Sequence, residues 1–99
     1  MCGIIGISSN KSVSASIISS LKKLEYRGYD SAGIATLFEG EIKEVKSEGR
    51  VDTLEQNFDL KNLKGNIGIG HVRWATHGLP NSVNAHPHSS HNVSVVHNG

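Results

Sequence analysis

A chain of 99 residues makes one small domain or a part of one. Ten Lys and Arg against nine Asp and Glu leave a net charge of +1, which gives neither a basic nucleic-acid surface nor an acidic tail. One cysteine excludes an internal disulfide, and no stretch approaches the ~20 apolar residues that cross a bilayer; a cytoplasmic protein with no nucleic-acid and no membrane partner is expected.

The opening run, Met1-Cys2-Gly3-Ile4-Ile5-Gly6-Ile7, lacks the basic flank of a secretory signal. Residues 2–8 read as a buried strand, with Gly3 and Gly6 admitting close backbone. A start methionine before a small residue is commonly removed. Cys2 would then carry a thiol and a free α-amino group. The thiolate is a strong nucleophile, and a terminal amine beside it serves as the base that other enzymes take from histidine. The competing reading is a small apolar residue inside a strand.

Asn10 and Ser12 are helix-start residues. Val13, Ile17, Leu21 and Leu24 then fall on one face with Ile18 beside them, while Ser16, Ser19, Lys22 and Lys23 lie mostly on the other. Gly28 is the stop. Residues 32–38 predict a strand, Glu39-Gly40 a turn, and Glu41 to Lys46 the returning strand of a hairpin. Asp52 and Glu55 have the spacing of a capping box, opening a short helix with Leu54 and Phe58. Ile67, Ile69 and His71 alternate as in a half-buried strand. Pro80 and Pro87 mark an irregular segment from Ala75 to Asn92, and Val93, Val95 and Val96 form the last strand. This order predicts an antiparallel-rich α+β fold.

Three stretches are polar where a plain sheet protein would be bland. In Tyr26-Arg27-Gly28-Tyr29-Asp30-Ser31-Ala32-Gly33, Arg27 and Asp30 read as a surface ion pair, and the glycines as a loop pressed against a ligand or strand. In His71-Val72-Arg73-Trp74-Ala75-Thr76-His77-Gly78, Arg73 follows a strand that can aim its guanidinium at a carboxylate; a salt bridge is the equal alternative. Trp74 reads as core, or as part of a lid. In the third, Asn84-Ala85-His86-Pro87-His88 with His97-Asn98-Gly99, an asparagine amide and the next N–H can face a developing oxyanion, although Asn-Gly is by frequency a turn. All six histidines lie from His71 to His97. They raise a non-enzymatic, His-rich metal-binding module through His86 and His88, against which stand the single cysteine and the absence of any metal-site spacing. No metal and no cofactor are assigned. An inert structural piece is the third reading.

Together these motifs resemble one family. Cys2-Gly3-Ile4-Ile5-Gly6 is similar to the start of class II glutamine amidotransferases, which are N-terminal-nucleophile hydrolases. The string from Leu24 to Gly33, then Arg73-Trp74-Ala75-Thr76-His77-Gly78, Asn84-Ala85-His86-Pro87-His88 and His97-Asn98-Gly99, resembles the glutaminase part of the glutamine–fructose-6-phosphate aminotransferase (isomerizing) branch, also called glucosamine-6-phosphate synthases. The purine-pathway branch is the alternative; it usually shows Arg-Gly-Gln-Asp and Arg-Tyr-Ser-Thr versions.

The resemblance implies a partial, truncated four-layer αββα fold with antiparallel sheets and flanking helices. It implies Cys2 as the nucleophile on L-glutamine, giving a glutamyl thioester and ammonia, with Asn98 and the Gly99 N–H as oxyanion hole. Arg73 would hold the α-carboxylate, Thr76 and His77 would line the pocket, and Trp74 would sit on a gating loop. Arg27, Gly28 and His86 match positions near the pocket. Residues 1–99 would be the N-terminal portion of the amidotransferase domain. A further acidic residue for the glutamine α-amine lies downstream in the family. Fructose 6-phosphate binds only through a C-terminal half, and the full-length form is expected to be a homo-oligomer. The 99 residues alone are expected to be inactive.

Overall fold

The computed structural model describes residues 2–74, 81 and 83–98. Its elements are β1 (Gly3–Ser8), α1 (Ser14–Leu24), β2 (Ser31–Phe38), β3 (Glu41–Glu48), α2 (Val51–Asn57), β4 (Ile67–Arg73), β5 (His88–Ser90) and β6 (Val93–Val95), with single 3-10 turns at Glu25–Arg27 and Leu60–Asn62. The first four strands to form a common sheet lie in the order β1-β4-β2-β3, antiparallel throughout, and β5 pairs with β6 separately. Both helices cover one face of the larger sheet, α1 over β1 and β4 and α2 over β3 and β2.

Helix α1 buries the stripe that its sequence spacing predicts. Ile17, Ile18 and Leu21 are buried, Val13 just before the helix is buried too, and Leu24 packs against the same cluster. Neither Asn10 nor Ser12 caps it: the N-cap is Val13, with no side-chain hydrogen bond, and the Val13 N–H is instead satisfied by the Gly65 carbonyl at 3.0 Å. The capping box at Asp52 also fails. Helix α2 starts two residues earlier, with Arg50 as an uncapped N-cap. Asp52 and Glu55 face Lys22 of α1 instead, at 3.5 and 2.6 Å. Exposed pairs of this kind orient the helices more than they stabilise them.

The hairpin turn is as its sequence suggests. Glu39 and Gly40 have φ of 52° and 77°, the doubly left-handed pair that matches the twist of a two-residue hairpin. Strand β3 runs to Glu48, two residues past the expected end, and the last strand closes at Val95.

Strand β4 faces opposite to its apparent pattern. The alternation of Ile67, Ile69 and His71 suggests that these residues meet the core. In the structure Gly68, Gly70 and Val72 meet the helices, and Ile67 is half exposed. A Cβ on Gly70 would stand 2.6 Å from Ile17 Cγ2 and 3.1 Å from Leu21 Cδ1; one on Gly68 would stand 2.7 Å from Ile17 Cδ1. The helix is laid directly on strand backbone, so the glycines are the core face.

The outer face of the sheet carries Gly33, Lys46 and His71, which are cross-strand neighbours. On it lies the segment 84–98, which is not irregular throughout, because β5 occupies His88–Ser90. Lys46 Nζ donates to the Ala85 and Pro87 carbonyls at 3.0 and 3.1 Å. The His86–Pro87 bond is cis, and any Cβ on Gly33 would collide with the His86 carbonyl. The His86 ring stacks on His71, with centroids 4.3 Å apart and planes 18° from parallel. Burial, and then the neighbouring His71, push the His86 imidazole down to about 4. His71 is lowered as well, first by burial.

Two predictions follow from this packing. Gly70→Ala should cost about 1–3 kcal/mol in urea unfolding by overpacking, whereas Gly6→Ala, whose Cβ meets nothing nearer than 3.9 Å, should stay within about 0.5 kcal/mol. For acid, the unfolded chain binds a proton at His86 near the ordinary 6.5 and the folded chain only at about 4. Between these values the unfolded state holds more protons at this group, so the contribution of His86 to stability should fall as pH drops from 6.5 to 4 and level off below. His86→Gln should flatten part of that limb in urea midpoints measured across the range.

Candidate active site

The site forms where β1 begins beside the end of β4. Gly3 pairs with Val72, so the next step of the register sets Cys2 beside Arg73. Gly3 faces α1, where its Cβ would lie 3.0 Å from Leu24, and Val72 belongs to the core cluster. By strand alternation Cys2, His71 and Arg73 therefore share the outer face. Cys2 is 4% exposed and Arg73 7%.

Three contacts fix residue 2. Its backbone nitrogen donates to Asn98 Oδ1 at 3.0 Å. Its carbonyl accepts from Arg27 Nε at 2.8 Å. Its thiol lies 3.9 Å from the Trp74 carbonyl, a weak S–H donor contact. With Met1 attached this nitrogen is a peptide amide; it occupies the place that the α-amino nitrogen of a trimmed chain would take. Since Oδ1 accepts from Cys2, the NH2 end of Asn98 is the end that can donate to a bound group. A nucleophilic sulfur, a nitrogen on the same residue and an amide donor thus meet at one point. This grouping suits addition to a carbonyl carbon followed by proton transfer to a leaving group.

The stretch from Tyr26 to Gly33 supports this point from the side. A Cβ on Gly28 would stand 2.6 Å from both the Arg73 carbonyl oxygen and the Trp74 nitrogen, so only glycine permits the approach. The Asp30 N–H donates to the Arg73 carbonyl at 3.1 Å. The Asp30 carboxylate also accepts from the Ser31 hydroxyl at 3.1 Å. Trp74 is not core: it is 47% exposed, and its ring meets Tyr29 edge-on at 5.8 Å. The Arg50 guanidinium covers the Tyr29 ring at 4.6 Å and pairs with Glu25 at 3.5 Å.

Thr76, His77 and Gly99 lie outside the described residues, as do Ala75 and Gly78. His86 sits against His71, and its Nδ1 is buried without a hydrogen-bond partner among the described residues. The rings of His86 and His88 are 4.4 Å apart and tilted by 57°. Among the described residues no three metal-ligating side chains gather, and no helix is long and apolar enough to cross a membrane. A groove of about 190 Å³ lies away from Cys2, between Ala35, Leu37, Ile67 and Ile69 and the β5–β6 hairpin, and has no ionisable side chain on its wall. His71 was not among the site residues expected from sequence. Its Nε2 is 2.7 Å from the His97 carbonyl, one residue from Asn98. The crowding of six histidines into one stretch was the available signal.

No family model matches the chain. Proteins named glutamine–fructose-6-phosphate aminotransferase [isomerizing] match all of it: that of Mesorhizobium japonicum is 54% identical over 99 residues, and that of Pyrococcus horikoshii 55% over 101. The chain spans 16% and 17% of the length of these curated relatives. Among solved structures, the glutamine phosphoribosylpyrophosphate amidotransferase from B. subtilis superposes with a TM-score of 0.78 at 29% identity, over 95% of this chain and 20% of that one. A structure described as the allosteric regulatory enzyme of purine biosynthesis gives 0.77 at 30% identity, over 88% of this chain and 18% of that one. The fold is thus the α+β amidotransferase fold. Over its whole length the chain matches the N-terminal part of the glutamine–fructose-6-phosphate aminotransferase family.

Proposed function

We propose that this chain is the first portion of the glutamine-cleaving domain of an enzyme that converts fructose 6-phosphate and L-glutamine to glucosamine 6-phosphate and L-glutamate. The observation that carries the reading is the bond from the Cys2 nitrogen to Asn98 Oδ1 beside a buried Arg73. After removal of Met1, the α-amine takes the thiol proton and the sulfur attacks the side-chain amide carbon of glutamine. The oxyanion that forms is met by the Asn98 NH2 and the Gly99 N–H. The proton then passes from the amine to the leaving nitrogen, ammonia departs and a γ-glutamyl thioester remains. Water cleaves the thioester to glutamate.

Arg73 binds the substrate α-carboxylate, and Thr76 and His77 complete the pocket wall. Arg27 and Gly28 hold the Cys2 carbonyl and the end of β4 in register. Trp74 rides the segment that closes over glutamine and directs ammonia onward. The sugar phosphate binds to the part of the protein beyond these residues, in a homo-oligomer of the cytoplasm that needs neither cofactor nor nucleic acid. Identity separates this reading from the purine-pathway alternative, at 54% against 29%.

In the full-length polypeptide, Cys2→Ala should abolish glutamine hydrolysis with the far-UV dichroism unchanged. Asn98→Ala should lower kcat by about 10²–10³. Glutamate release that survives Cys2→Ala would overturn the assignment of the nucleophile.

A further inference from the structure

His71 has no place in the chemistry just described, yet it is 1% exposed and sits on the outer face among the site residues. Its Nε2 lies 2.7 Å from the His97 carbonyl. A carbonyl only accepts, so this nitrogen bears the proton. The other ring nitrogen, Nδ1, is buried with no hydrogen-bond partner among the described residues. Burial disfavours the charged ring, so His71 is a neutral Nε2–H tautomer. His86 lies flat on its face, and Lys46 ties the His86 loop down through the carbonyls on either side. The ring is therefore fixed in both plane and tautomer.

We propose that His71 is a positioning residue for glutamine cleavage: its Nε2–H holds the His97 carbonyl and so sets the Asn98 amide against residue 2. The inference rests on the reading of Asn98 as an oxyanion donor. Strand β6 ends at Val95, and among the described contacts the segment after it reaches the sheet at two points, His97 on His71 and Asn98 on Cys2. The first fixes the carbonyl of the residue before the donor. Without it, the amide keeps only its own contact with the terminal residue. The group then has to be ordered during the reaction, a cost that falls on the transition state and not on substrate capture.

The test compares His71→Phe, which keeps a flat ring for stacking but has no donor, with His71→Gln, whose amide nitrogen reaches about as far as Nε2. Both are made in the full-length protein, with far-UV dichroism and urea unfolding to confirm folding. His71→Phe should lower kcat for glutamine hydrolysis at least about tenfold with KM within about twofold, and His71→Gln should recover most of the loss. An active parent whose His71→Phe variant keeps its kcat, or changes only KM, would overturn the inference and leave the glutaminase reading intact. A parent with no glutaminase activity would sink that reading; the positioning claim is then decided by nitrogen-15 spectra. These should show His71 protonated at Nε2, with the Asn98 side-chain signal displaced in His71→Phe and restored in His71→Gln. A ring protonated at Nδ1, or an Asn98 signal that does not move, would overturn it.

Discussion

The bond between the Cys2 nitrogen and Asn98 Oδ1 joins residues 96 positions apart, and the rest of the structure serves to make it possible. Such a closure is entropically costly for a chain alone, since long loops must be ordered before the contact forms. Here the cost is met by scaffolding on both sides. Strand β1 is held along its length by β4, and β4 by β2. The chain leading to Asn98 is held at residues 85–87 by Lys46 and the imidazole stack, and again at His97, whose carbonyl meets His71 Nε2. Each end of the bond thus has a second anchor besides the bond itself.

That scaffold divides its tasks by sheet face. The inner face is apolar and supplies cohesion through α1 and α2, with Ile17, Leu21, Ile34 and Leu54 fully buried. The outer face carries the polar groups: the thiol, the guanidinium and the buried imidazole. Because a strand alternates sides, one run such as Gly70-His71-Val72-Arg73 contributes to both tasks at once. The glycines on the inner face allow α1 to lie close to the backbone, and Val72 seals the core beneath the two polar side chains that flank it.

Much of this was legible in the chain. Helix α1 was readable because its apolar spacing matches a helical period, and the β2–β3 hairpin because Gly40 tolerates left-handed backbone between two strand-like runs. The ordered motifs place Cys2 and Asn98 at opposite ends of the chain, and the structure brings those two residues into direct contact. What failed did so for physical reasons. The isoleucines of β4 suggest a core face only if side chains make the core, and here backbone does. The capping box at Asp52 failed because the helix already begins at Val51, which puts Asp52 inside its first turn. His71 was missed because its importance lies in a contact with the His97 carbonyl, which has no sequence signature.

The placement of residue 74 has a practical side. The chain has one tryptophan; its carbonyl touches the sulfur and its indole leans on Tyr29 under Arg50. Displacement of the backbone at the thiol would alter the surroundings of the one indole in these 99 residues. The chain therefore carries an intrinsic optical probe of the backbone beside Cys2, readable in emission without a label.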